Sequence, residues 1–93
     1  MKVKVFNKGF INNLFSAVIC DSAKWIYEGK SLYRGAIDKN TLLIFIMNHL
    51  YRLGIKWNAD MLYGLLNELV ETDIIYYIGC CEGDDIYKID GIM

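Results

Sequence analysis

From residue 61 to residue 70 the apolar side chains arrive in pairs four apart: Met61 with Leu62, Leu65 with Leu66, Leu69 with Val70. A helix gathers that spacing onto one clean stripe. Four residues later the rule changes. Ile74-Ile-Tyr-Tyr-Ile78 and Ile86-Tyr-Lys-Ile89 are rich in β-branched and aromatic residues, and Gly79-Cys-Cys-Glu-Gly-Asp-Asp85 between them supplies a turn. A one-striped helix running straight into a β-hairpin needs further elements to cover both, which points to an α+β domain with helices packed on a hairpin.

The covering elements are legible upstream. Leu42-Leu-Ile-Phe-Ile-Met47 is apolar nearly all round, so the helix expected over 41–53 should be the most buried element. Asp38 or Asn40 can cap its start, Gly54 stops it, and Asn58 caps the helix expected over 59–72. A first helix is expected over 10–28. There Ile11, Phe15, Val18, Ile19, Ser22 and Ile26 share a stripe that Phe10, Leu14, Ala17 and Trp25 widen. Lys2-Val-Lys-Val-Phe6 alternates like a short strand until Gly9 breaks it, and residues 29–38, with Gly29 and Gly35, read as a connection. Residues 1–93 suffice for one domain with one core. That core should contain Leu42, Leu43, Phe45, Ile46, Leu50, Leu62, Leu65, Leu66, Leu69, Ile75 and Tyr77.

Leu50-Tyr-Arg-Leu-Gly-Ile55, Leu65-Leu66 with Leu69, and Asp73-Ile-Ile75 resemble three parts of the winged helix-turn-helix superfamily: the end of its first HTH helix, its recognition helix, and the entry to its wing. The resemblance covers 50–89. It implies a winged-helix-like α+β domain: three helices, a C-terminal β-hairpin and a short N-terminal strand. Glycine is the commoner residue where Asp73 stands, because the chain there often turns left-handed; Asp tolerates that region better than most.

Charge narrows what such a domain binds. Up to Lys56 the chain carries nine basic residues against Asp21, Glu28 and Asp38, a balance of +6. Beyond it Lys88 stands alone against eight acids, giving −7 and the net −1 of the whole. The face of the third helix opposite the leucines should carry Asp60, Tyr63, Gly64, Asn67, Glu68 and Glu71, and the wing turn adds Glu82, Asp84 and Asp85. A major-groove reader offers cations to phosphate there, so this face suits a basic protein surface instead. The alternative is a DNA-binding transcription regulator that uses the basic N-terminal half, with Lys2, Lys4, Lys8, Lys24, Lys30, Arg34 and Lys39 as its footprint. The chain is 55% hydrophobic and 14% aromatic. That is high for its size, and with the broad arc of the first helix it points to a homodimer through that helix.

No catalytic constellation is expected. His49 is the single histidine and has no nucleophile partner in a motif, there is no glycine-rich phosphate loop, and adjacent Asp84 and Asp85 should diverge to opposite faces of a strand. Cys80 and Cys81 are neighbours in a predicted turn, and Cys20 reads as a small core residue, so neither a metal site nor a disulfide framework is expected. No cofactor is implied. The longest apolar run is far shorter than the roughly 20 residues that span a bilayer, and the first residues do not read as a signal peptide, so a cytoplasmic protein without membrane partners is expected. By analogy of size and acidity, the chain also suits a small virus- or plasmid-encoded regulator or inhibitor such as an anti-CRISPR protein, acting in the host cytoplasm.

Overall fold

Three helix ends set the path of the chain. The computed structural model describes residues 8–90; the strand expected at 2–6, with Lys2 and Lys4, lies outside them. α1 (Lys8–Tyr27) closes at Gly29, whose φ is +69°. There the Gly29 amide donates to the Ile26 carbonyl and the Lys30 amide to Trp25. α2 (Lys39–Arg52) closes the same way at Gly54, φ +71°, with Gly54 donating to Tyr51 and Ile55 to Leu50. These are paired Schellman bonds, which glycine permits because it has no Cβ to clash in the left-handed region. α3 (Ala59–Glu71) ends on Asp73 at φ +64°, the left-handed residue expected from the sequence.

The N-caps are as local as the C-caps. The Asp38 carboxylate accepts from the Thr41 amide at 3.1 Å, and the Asn58 side chain from the Met61 amide at 2.8 Å. Gly9 lies inside α1 and breaks nothing, because the helix begins two residues earlier than expected.

The sheet has three antiparallel strands rather than a hairpin alone. β1 (Ile37–Asp38) pairs with β3 (Asp84–Ile89), which pairs in turn with β2 (Ile75–Cys81), giving the order β1-β3-β2. β1 falls inside the segment read as a connection. Gly35 at φ +72° turns the chain there, the Ala36 amide donates to Tyr33, and the Ser31 hydroxyl donates to the Ala36 carbonyl. The hairpin turn is only Glu82-Gly83, so Cys80 and Cys81 belong to β2, opposite Asp85 and Asp84.

One hydrophobic cluster joins the three helices to the sheet, with Val18, Ile37, Leu42, Ile46, Leu50, Leu65, Leu69 and Ile75 fully buried. Two core expectations need correction. Tyr77 is 50% exposed, while Tyr87, directly opposite it, is buried. β3 is the central strand and β2 an edge, so the side chain on β3 is covered from both flanks. Phe45 is half-buried and meets Trp25 edge to face, with ring centroids 5.7 Å apart. α2 also exposes Ile44 and Tyr51, so it is no more buried than α3.

The breadth of the apolar arc on α1 is taken up largely within the chain. Phe10, Ile11, Ile19, Trp25 and Ile26 all pack partly against the core. His49 and Asp21 bond α2 to α1 at 2.6 Å. Cys20, read as a core residue, is exposed, because it lies on the side of α1 away from Val18 and Ser22. No helix among the described residues is long and apolar enough to cross a membrane.

Candidate protein-binding face

α3 turns its leucines inward and leaves an outward row of polar residues. Asp60, Tyr63, Asn67 and Glu71 are exposed, and Gly64 and Glu68 are half-buried. At 1.5 Å of rise per residue the row from Asp60 to Glu71 is about 16 Å long. Its chemistry differs from one end to the other.

Near Tyr63 the face is braced by a residue from the basic half. Lys39, at the start of α2, places its ammonium 5.8 Å from the Tyr63 ring centroid and donates to Asp85 at 3.1 Å. The other Asp85 oxygen accepts from the Tyr77 hydroxyl at 3.2 Å, and Tyr77 stacks edge to face on Tyr87, 5.5 Å between centroids. The bond to Asp85 holds the Lys39 ammonium above its ordinary pKa. Lys39 therefore sits on the helix-and-hairpin face, paired with an acid. Nothing in local sequence connects it to an acid 46 residues away.

At the far end, Glu68 and Glu71 line an open groove of about 390 Å³ with Lys8, Ile11, Asn12, Phe15 and Thr72. The two hairpin acids separate, as adjacent strand residues must. Asp84 accepts from the Tyr33 hydroxyl at 2.7 Å, and this raises the Tyr33 phenol well above its usual range. Glu82 stands exposed in the turn. The nine acidic-face residues thus divide. Tyr63 and Asp85 belong to the brace, Asp60, Gly64 and Asn67 flank Tyr63 along α3, Glu68 and Glu71 face α1, Glu82 sits at the tip, and Asp84 is held by Tyr33.

Of the basic residues, Lys24 and Lys30 line one groove, shared with Asp21 and Glu28, and the others among the described residues are not brought to it. Lys8 and Lys24 are sixteen positions apart on α1, about 24 Å. Lys30 pairs with Glu28 at 3.0 Å and lies over the Trp25 ring, and Arg34 sits in the exposed connection. Among the described residues no three His, Cys, Asp or Glu side chains come together as a metal ion requires. Compared with known protein families, with curated proteins and with solved structures, the chain has no match in any of the three.

Proposed function

We propose that this chain is a non-enzymatic, winged-helix-like binding module that presents α3 and the hairpin to a basic surface of another protein. The observation that carries the reading is the outward row of α3. Asp60 and Asn67 are exposed one turn to either side of Tyr63, Glu71 is exposed at the far end of the row, and Lys39, the cation reaching Tyr63, is already occupied by Asp85. Tyrosine offers a large, rigid contact area of the kind that anchors interfaces, and the Lys39–Asp85–Tyr77 brace limits the entropy lost on docking. The order helix, short strand, two helices joined by a turn, then a hairpin whose second strand fills the sheet centre supports the winged-helix reading. A carboxylate row can occupy a groove built for phosphates, so a nucleic-acid enzyme is a fitting partner. A small virus- or plasmid-encoded inhibitor of the anti-CRISPR kind, working in the host cytoplasm, is the role this suits.

The test is affinity capture from the native host with quantitative mass spectrometry, comparing wild type with Asp60→Lys/Glu71→Lys and with Tyr63→Ala. A basic partner retained by wild type and lost from both variants supports the reading. Retention of duplex DNA at low salt, falling steeply with added salt and abolished by Lys8→Ala/Lys24→Ala/Arg34→Ala, replaces it with the DNA-regulator reading.

A further inference from the structure

The turn between α2 and α3 exposes more apolar surface than a solvated connection needs. Tyr51 is 82% exposed, Leu53 57% and Trp57 44%. Arg52 and Lys56 stand between them, both exposed and without an ion pair among the described residues. From Lys39 to Ala59 the chain contains no Asp or Glu. The next carboxylate, Asp60, lines neither of the grooves that flank the turn.

Two grooves flank the turn, and Leu53 lines the first of them. One, about 330 Å³, runs between α1 and the end of α2 and is lined by Phe10, Leu14, Ala17, Arg52 and Leu53 together with Asn13 and His49. The other, about 460 Å³, lies among Tyr51, Gly54, Ile55, Lys56 and Trp57. The backbone between them is pinned. Gly54 donates to Tyr51 and Ile55 to Leu50, each at 3.0 Å, and the Asn58 cap ties the turn to α3. A surface held this way loses little freedom when something docks on it.

We infer that the α2–α3 turn is a docking surface for an acidic segment of a partner protein. An apolar side chain of that segment enters the groove beside Leu53, and its carboxylates reach Arg52 and Lys56. Charge sets the occupant: two unpaired cations, no carboxylate lining either groove, and aromatic rims. Two cations are too few to track a nucleic-acid backbone, whose binders typically neutralise about six to ten phosphates. A bilayer is also a poor fit. Each Lys or Arg near an anionic membrane strengthens attachment only about five-fold, and a flat surface leaves the recessed grooves unfilled. Grooves of this size take side chains, as in helix-in-groove recognition. This surface does not depend on the α3–hairpin face, and either reading can fail alone.

The probe is a capped synthetic peptide of Glu residues carrying Leu, Phe and Leu at i, i+3 and i+7, titrated into the isotope-labelled protein and followed by heteronuclear NMR. Binding with a Kd of order 100 μM is expected. Shifts should concentrate at Leu53, Gly54, Ile55 and the Trp57 indole, leaving the Trp25 indole as an internal reference. Arg52→Glu/Lys56→Glu and Leu53→Ser are surface changes whose folding the same spectra verify, and each should weaken binding about ten-fold or more. Parallel titrations use an oligo-dT strand and vesicles containing phosphatidylserine. Tighter binding of either than of the peptide overturns the inference, as does a peptide that leaves the turn unshifted or binds the variants equally well.

Discussion

The hairpin turn carries a residue that the backbone there does not favour. Glu82 and Gly83 form a two-residue connection between the paired Cys81 and Asp84, with φ of +51° and +86°. Positive φ at both central positions is the requirement of a type I′ turn, whose preferred first residue is Asn. An L-residue held left-handed costs about 1–2 kcal/mol, less for a short polar side chain that bonds its own backbone. Glu82 is exposed and makes no hydrogen bond among the described residues, so its replacement removes no contact. Glu82→Asn should therefore stabilise the domain by about 0.5–1 kcal/mol, roughly 2–8 °C in Tm for a chain of this size. Relief of charge repulsion with Asp84 and Asp85 would also stabilise, so Glu82→Gln is the control: it removes the same charge but keeps the longer side chain. Urea unfolding of the three proteins at neutral pH, followed by far-UV circular dichroism, separates the two effects. If Asn is no more stable than Gln, the turn stores no strain at Glu82 and the argument fails.

Leu65→Ala removes a fully buried side chain and should destabilise by about 2–5 kcal/mol, transfer and cavity together; a loss below about 1 kcal/mol in urea would mean that the α3 stripe does not face the core. Lys39 is raised above its ordinary 10.5 by Asp85, Tyr33 above 10.0 by Asp84, and Tyr87 above 10.0 by burial, so the folded state holds these protons more tightly than the unfolded chain. Their contribution is complete below about pH 10 and is lost as pH rises through the raised values, so Tm should fall on alkaline titration, and Tyr33→Phe should make the fall shallower. Cys20 and Cys80 are exposed and Cys81 is half-buried, so a thiol reagent should modify two cysteines quickly and one slowly in the native protein. Slow modification of Cys20, located by peptide mapping, would put it back in the core.

Much of what depended on neighbours within one or two turns was legible in the sequence. The cap at Asn58, the stop at Gly54 and the inward leucines of α3 follow from interactions spanning a few residues, and the winged-helix resemblance pointed to a left-handed Asp73; the choice of Asp38 over Asn40 as cap and the narrowing of the hairpin turn to Glu82-Gly83 came only with the structure. Tertiary structure decided the rest. A two-residue strand has no period to read, and β1 exists only because Ile37 and Asp38 meet Tyr87 and Ile86, about fifty residues away. Whether Tyr77 or Tyr87 is buried depends on which strand lies at the sheet centre, a matter of topology rather than of either residue. Lys39 counts as part of a basic half along the chain, yet in space it neutralises Asp85 and underlies Tyr63. Charge summed along a sequence measures composition, whereas electrostatic energy depends on distance between groups, and only the folded chain sets those distances.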